Sequence, residues 1–179
     1  PHAPESIEIV QTHISLVALV PPRVYKIKKP LDLGFLDFRE RADRKHFCER
    51  EVRLNRRLCR GVYEGVVPVI DTEDGLRLDP EDASLDPEAD DPQAPVVASP
   101  PGGQTVVDWA VRMRYMEPAH FLHRRIQRGR VPDGAVDRIS DALCSFYAEQ
   151  SPSAEVAEAG WVESIRVNVD ENFEQTRER

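Results

Sequence analysis

The feature that most constrains the fold is a pair of β-rich runs in the first thirty residues. The runs are residues 14–20 (ISLVALV) and 24–29 (VYKIKK), and the turn Pro21-Pro22-Arg23 separates them. β-Branched and aromatic residues favour strands, and a short turn containing proline between two such runs is typical of a hairpin. An earlier stretch, 6–10, could be a preceding strand. The sequence therefore predicts a sheet built around this hairpin.

The next strong pattern is a helix over residues 39–60. Four residues at spacings of 4, 3 and 4 lie on one face, which predicts that this face packs against the core: Phe47, Glu51, Leu54 and Leu58. Arginines cover the other faces of the helix. Gly61 is a plausible stop for it.

The order of the remaining patterns predicts an α+β fold. Short strands are indicated at 66–70, where Pro68 suggests an edge or a bulge, and at 106–113. Beyond Pro118 the patterns are only helical: 119–127, 134–150 and a piece around 162–173. The 179 residues have room for one domain, or for two small lobes. We therefore expect an antiparallel sheet with one long helix over 1–117, followed by a helical part over 118–179.

Charge is unevenly distributed along the chain. The net charge is -8, yet residues 71–91 alone hold ten acidic residues and a single base, Arg77. We interpret 71–104 as a proline-rich acidic insertion on the surface, partly disordered, that connects neighbouring strands. Helix 39–60 carries nine basic and four acidic residues. Because solvated arginine-rich faces are common and the acidic segment lies nearby, nucleic-acid binding is the less favoured interpretation.

Composition excludes several classes of protein. No run of eighteen apolar residues occurs, so no membrane-spanning helix is predicted. The first residues do not have the pattern of a secretory signal. The cysteines, Cys48, Cys59 and Cys144, are scattered and odd in number, which argues against a disulfide framework and against a zinc site. We therefore expect reduced thiols and a cytoplasmic location.

Two lysines in the hairpin are candidates for chemistry. Strand alternation puts Val24, Lys26 and Lys28 on one face, where a lysine is costly to bury without a partner. Glu51 lies inside the apolar stripe of the following helix and needs a partner as well. A Lys–Glu pair would hold an ammonium extended, so that it could bind the oxygens of a polyphosphate. The alternative is that both lysines lie on an exposed sheet edge and Glu51 at the border of its stripe.

Several runs of the sequence resemble, in order, the N-terminal part of aminoglycoside phosphotransferase-like proteins. The closest similarity is to the group in which such a domain precedes a P-loop ATPase domain. The resemblance covers about residues 6–70 and 105–179, and it depends on these runs: THISLVALV, RVYKIKKPLDLGFLDF, RKHFCEREVRLNRRL, VVPV and DWAVRMRYM. Proteins of this family share the two-lobed architecture of protein kinases. The resemblance therefore implies a kinase-like N-lobe followed by the first helices of an α-helical C-lobe.

The resemblance implies roles for the lysines and the glutamate. In kinase-like folds a lysine on the third strand contacts the α- and β-phosphates of ATP, and a glutamate on the following helix holds it. We assign these roles to Lys26 and Glu51, with Lys28 and Glu49 as their rivals.

The resemblance also implies contacts at both ends of the nucleotide. Residues 114–117 would be the hinge, with Met113 or Tyr115 beside the adenine. The turn over 11–15 would cover the phosphates, although no glycine occurs before Gly34. Three side chains of that turn could donate to phosphate: Thr12, His13 and Ser15.

The sequence departs from the family pattern where catalysis would occur. Kinase-like transfer needs a loop of the H-x-D-x-x-x-x-N or H-G-D type, and no such motif follows the last histidine, His123. No catalytic residue and no metal ligand is therefore expected in this chain, which alone should be inactive. The parent protein would use ATP and Mg²⁺ to phosphorylate a small hydroxylated acceptor, which the sequence does not identify. The expected partners are the adenine nucleotide and the remaining C-terminal part of the same protein. The alternative is a non-catalytic module of kinase ancestry that binds a nucleotide or a partner.

Overall fold

A computed structural model describes residues 7–34, 36–59, 61–78, 97 and 105–177. The chain divides into two compact units, Pro1–Asp133 and Gly134–Arg179, each of which is described separately below. The first unit contains an antiparallel sheet and one long helix, and the second is helical. The α+β class predicted from the sequence is therefore confirmed. The lobe boundary expected near residue 117 stays a prediction.

The sheet of the first unit has six antiparallel strands in the order β1-β2-β3-β6-β4-β5. Their bounds are β1 Glu8–Gln11, β2 Ser15–Val20, β3 Arg23–Lys28, β4 Tyr63–Thr72, β5 Gly75–Leu78 and β6 Thr105–Arg114. The hairpin of β2 and β3 is confirmed, with Ser15 opposite Lys28 and Val17 opposite Lys26. The early strand is confirmed as β1.

The region predicted as an excursion contains a strand that the sequence did not indicate. β5 pairs with the end of β4, from Val69 to Thr72, through a tight turn. β4 and β6 are neighbours, as the prediction that the excursion connects adjacent strands requires. Pro68 lies just before the part of β4 that β5 covers, and a register shift follows it between Val69 and Ile70. The disorder expected for the rest of the insertion concerns residues outside the described ones.

Helix α1, Arg41–Arg56, packs with a different face than the one predicted. Its buried residues are Arg44, Cys48 and Val52, spaced four apart. Leu54 and Leu58 are 53% and 55% exposed, so their assignment to the core face was wrong. The prediction failed because it counted Arg44 as a surface residue. It therefore assigned the core to a neighbouring face of the helix.

Two apolar clusters lie on opposite faces of the sheet. Val66 and Val111 are paired across β4 and β6, and they pack with Trp109 and with Cys48 of α1. The next pair along the same strands, Val67 and Ala110, belongs to the other cluster, which includes Ala18, Tyr25 and Val69. The cluster with Val66 therefore marks the face on which α1 lies.

The buried Arg44 fastens α1 to the sheet and to the segment before it. Its Nε lies 3.0 Å from both carboxylate oxygens of Asp108 on β6. Its Nη1 donates to the carbonyl oxygens of Phe38 at 2.9 Å and Arg39 at 2.7 Å. A buried guanidinium is tolerated when its donors are satisfied in this way.

Up to residue 177, where the described part of the second unit ends, it contains three helices: α3 Ala135–Ala148, α4 Ala154–Ala159 and α5 Val162–Arg177. In the first unit, a short 3-10 turn, Pro118–His120, and helix α2, Leu122–Gln127, follow β6. The three helical stretches predicted after Pro118 are confirmed as α2, α3 and α5, whereas α4 was not predicted. Within the described residues, no helix combines the length and the apolar character needed to cross a bilayer.

We expect Arg44→Met to lower the free energy of unfolding by about 3 kcal/mol, because it leaves the carboxylate of Asp108 without its guanidinium. Urea denaturation would measure the loss. The matched control is Arg53→Met, whose side chain is exposed on the same helix and which should change stability by less than about 0.5 kcal/mol. Equal effects of the two substitutions would contradict the role given to Arg44.

Candidate functional site

The structure brings Lys26, Lys28 and Glu51 together at the junction of β3 and α1. The Nζ of Lys26 donates to Oε1 of Glu51 at 2.8 Å. The Nζ of Lys28 donates to Oε2 of the same carboxylate, also at 2.8 Å. Side chains at positions i and i+2 of a strand point to the same face of the sheet. The alternation along β3 therefore directs both lysines towards the helix. The predicted Lys–Glu pair is therefore a triad in which one carboxylate serves two ammonium groups.

The rival carboxylate has other partners. Glu49 lies 2.7 Å from the Nζ of Lys45 and 3.6 Å from a guanidinium nitrogen of Arg53, both on α1. These are ordinary pairs four residues apart on a helix surface. Glu51 is thus the glutamate of α1 that meets the strand lysines.

The two lysines differ in their access to solvent. The side chain of Lys28 is 6% exposed, that of Glu51 15% and that of Lys26 26%. Lys28 also lies over the ring of Phe38, with its Nζ 5.2 Å from the ring centroid. An ammonium over an aromatic face is favourable when water is excluded. Lys26 is therefore the lysine that an external ligand can reach.

Phe38 lies beside the triad, although no pattern in the sequence indicated this. The connector between β3 and α1 folds back on itself, and the amide of Phe38 donates to the carbonyl of Leu31 at 2.8 Å. The ring is buried and packs edge-on against Phe47 of α1, with 5.1 Å between centroids. The connector sequence, residues 31–38, is apolar but irregular, and such a segment has no periodicity from which a side-chain position can be derived.

The triad carries an excess of positive charge. Two ammonium groups share one carboxylate, whereas Glu49 on α1 and Asp108 on β6 are paired with other bases. Among the described residues the triad therefore has a formal charge of +1 in a half-buried position. A charge in such a position favours a bound anion, because its attraction is less screened than in bulk water.

Glu51 is ionised in this environment. Burial alone raises the pKa of its carboxyl group, but the hydrogen bonds from Lys26 and Lys28 outweigh burial, and the pKa lies below the ordinary value of 4.5. A carboxylate with a depressed pKa stabilises the fold above the pKa of the unfolded chain. This contribution is present above about pH 4.5 and is lost as the pH falls through the folded-state pKa.

Cys48, beside the triad on α1, is in the opposite situation. Burial raises the pKa of its thiol to about 12, so the group stays protonated at neutral pH. It acts as a small apolar side chain under the lysines and not as a nucleophile.

An apolar row runs across the sheet next to the triad. Val24 on β3 is opposite Leu19 on β2 and opposite Met113 on β6. These three residues are one pleat away from Lys26 and share its face, and all are partly exposed. A flat apolar group could lie on this row with an attached anion at Lys26. Met113 is a member of this row, and its contact with a base stays a prediction.

The turn before β2 is closed on itself. The hydroxyl of Thr12 donates to the carbonyl of Ser15 and accepts from its amide, and the amide of Thr12 donates to the same carbonyl at 2.9 Å. Ser15 is fully buried, and its hydroxyl has no hydrogen-bond partner among the described residues. Thr12 and His13 are both exposed, but the hydroxyl of Thr12 already bonds within the turn. The expectation that Thr12 and Ser15 donate to phosphate is therefore not supported by this conformation of the turn.

The predicted hinge is also partly engaged. The amide of Arg114 donates to the carbonyl of Val62, and the amide of Tyr115 donates to the carbonyl of Pro22, both at 2.9 Å. These amides are not free to meet the edge of a base. Contacts from the segment would have to come from its carbonyl oxygens or from Met116 and Glu117.

Metal-ligating side chains are not clustered in the described part of the chain. In that part, no group of three or more His, Cys, Asp or Glu side chains is arranged to hold a metal ion.

Comparison with known proteins finds relatives without an assigned role. The chain is 26% identical over 171 residues to the uncharacterized protein Rv2004c of Mycobacterium tuberculosis and to the uncharacterized protein Mb2027c of Mycobacterium bovis. Each alignment covers 96% of this chain but 28% of the relative, so the chain spans less than a third of the length of these proteins. No protein-family model matches the chain, and no solved structure is significantly similar to it.

The triad makes a specific prediction about stability. Glu51→Gln leaves two ammonium groups without a counter-charge, so we expect it to lower the free energy of unfolding by about 3 kcal/mol. Lys28→Met leaves the Lys26–Glu51 pair intact and removes a buried charge, so its effect should stay within about 1 kcal/mol. Denaturant unfolding at neutral pH measures both.

The matched control for the glutamate is Glu49→Gln on the same helix. Its side chain is about as exposed (17%) as that of Glu51, but its partners Lys45 and Arg53 are 36% and 54% exposed, so water can solvate them and stability should change by less than about 1 kcal/mol. If Lys28→Met destabilised the protein as much as Glu51→Gln, the triad would not carry the excess charge assigned to it.

Proposed function

We propose that the first unit is the nucleotide-binding lobe of a kinase-like phosphotransferase related to aminoglycoside phosphotransferases. The observation that carries the proposal is the contact of Lys26, accessible and at 2.8 Å, with Glu51 of the following helix. Kinase-like folds use the same arrangement, a lysine on the third strand held by a glutamate on the next helix, to contact the α- and β-phosphates.

The surroundings of Lys26 fit an adenine nucleotide. The excess positive charge of the triad suits a phosphate chain, and lysine binds phosphate as a point charge. The apolar row of Leu19, Val24 and Met113 begins one pleat away and suits a flat aromatic base. Base and phosphates would therefore lie along one face of the sheet, on the same side as α1.

Phosphoryl transfer would need more than this chain supplies. The sequence contains no loop of the H-x-D-x-x-x-x-N or H-G-D type. The chain also spans only 28% of the length of its mycobacterial relatives. We propose that the residues that bind Mg²⁺ and the acceptor belong to the remaining length of a longer protein of this kind. The acceptor would be a small hydroxylated molecule, as the family resemblance implies.

A second candidate function is also consistent with the lack of a catalytic loop in this sequence. A module of kinase ancestry that binds a nucleotide or a partner without transferring phosphate would also lack the catalytic loop. The two candidates share the nucleotide site. They differ in whether the longer protein consumes ATP when a hydroxylated acceptor is added.

The nucleotide site can be tested by NMR titration of the ¹⁵N-labelled chain with MgATP. We expect weak, saturable binding with Kd on the order of 1 mM, because this lobe forms only one wall of a cleft. The shifted resonances should belong to β2, β3 and the end of β6. Lys26→Met should weaken binding at least about tenfold, a loss of about 1.4 kcal/mol.

The matched control is Lys45→Met, which removes one lysine of α1 that is paired with Glu49 and lies outside the triad. It should bind MgATP as the wild-type chain does. Submicromolar binding unaffected by Lys26→Met, or no saturable shift at concentrations well above the expected Kd, would contradict the proposal.

A further inference from the structure

Part of the turn that should cover the phosphates is closed to them. A glycine-rich turn offers free backbone amides to a phosphate chain, but here the amides of Thr12 and Ser15 bond within the turn. The hydroxyl of Thr12 bonds there as well, and that of Ser15 is buried. The ammonium of Lys29 bonds the carbonyl of Thr12 and brings one positive charge to the turn, so more of the charge compensation for a polyphosphate falls to the lysines of the triad.

A single lysine would be a poor substitute. If Lys26 were the sole partner of Glu51, the pair would be neutral. A lysine drawn towards a ligand would then leave a half-buried carboxylate uncompensated, which costs several kcal/mol. A single lysine would then divide its three donors between Glu51 and the ligand, with no second cation to hold the carboxylate.

Lys28 supplies this second cation. It holds Oε2 of Glu51 at 2.8 Å from a position that is almost closed to solvent, and the ring of Phe38 covers its ammonium. Glu51 therefore keeps a counter-charge whether or not Lys26 turns to a ligand. The positive charge of the site is retained at Lys26, the accessible member.

We propose that Lys28 is a positioning residue that makes this site selective for polyphosphates. It acts through Glu51: it compensates the carboxylate, so that Lys26 can bind the ligand. Its positive charge also compensates for the hydrogen bonds that the amides of Thr12 and Ser15 do not donate to phosphate. The inference extends the proposed function, since it assigns the ligand class of the same site. A di- or triphosphate should gain more from Lys28 than a ligand without phosphate does.

The test compares three probes on the full 179-residue chain by NMR titration: inorganic tripolyphosphate, MgATP and adenosine. We expect Lys28→Met to weaken tripolyphosphate and MgATP binding about tenfold and to leave adenosine binding unchanged. The decline of affinity with salt should also become less steep, because one charge is lost. Lys28→Arg, which restores the charge, should recover most of the affinity.

A purely structural role for Lys28 predicts different results. Lys28→Met would then bind tripolyphosphate as the wild-type chain does, or would lose adenosine and tripolyphosphate alike, and either result would overturn the inference. Lys45→Met controls for the loss of one positive charge elsewhere on the unit and should not change any of the three affinities.

The inference and the proposed function fail in different ways. Binding of tripolyphosphate that depends on Lys28, without any binding of adenosine or MgATP, would contradict the nucleotide site and support the role of Lys28. Binding of MgATP that depends on Lys26 but not on Lys28 would do the reverse. A chain that binds none of the probes would overturn both.

Discussion

The carboxylate of Glu51, shared by two lysines of one strand, is the interaction on which the rest of the site depends. It requires the β2–β3 hairpin in its observed register, because a slip of one residue would turn Lys26 and Lys28 to the opposite face of the sheet. It also requires α1 to lie on that face, where Cys48 and Val52 pack against the sheet and Arg44 bonds Asp108. The fold thus holds a half-buried positive charge in place, which apolar packing alone would not favour.

The triad is energetically unfavourable to bury, and this suggests that it has a role other than stability. Buried ion pairs contribute little net stability, and an extra ammonium beside a satisfied pair contributes less. A triad with an excess positive charge is therefore better explained by attraction of an anionic ligand than by a contribution to the stability of the fold. This reasoning connects Lys28, which solvent barely reaches, with Lys26, which a ligand can reach, and it explains how a turn without glycine could still belong to a phosphate-binding lobe.

Much of the first unit could be predicted from local patterns. Alternation in β3 placed Lys26 and Lys28 on one face. The pattern of α1 offered Glu51 as a candidate partner and the family resemblance favoured it, although the apolar stripe used in that inference was not the buried face. The pattern could not choose between the two lysines, because both occupy the same face and the carboxylate has two oxygens. Burial distinguishes them, and burial depends on Phe38, which an irregular connector brings over Lys28.

The errors have a common physical cause, which is tertiary contact that overrides local sequence. Arg44 can be buried because its guanidinium donates to Asp108, which is distant in sequence, and to two carbonyl groups of the irregular segment before α1. The predicted core face of α1 was wrong because these contacts were not foreseen. β5 was not predicted because the insertion has a composition typical of a loop. Thr12 and Ser15 were predicted to donate to a ligand, but hydrogen bonds within the turn and burial occupy them, and neither effect can be derived from residue type.

The most direct measurement for the account is the titration of the Glu51 carboxyl group by ¹³C NMR, with its resonance assigned by comparison with Glu51→Gln. The account predicts a pKa below the ordinary value of 4.5 in the wild-type chain, and a higher pKa when either Lys26 or Lys28 is replaced by methionine. A carboxyl group that titrates at or above 4.5 and does not respond to either replacement would show that burial dominates and that the lysines do not share it.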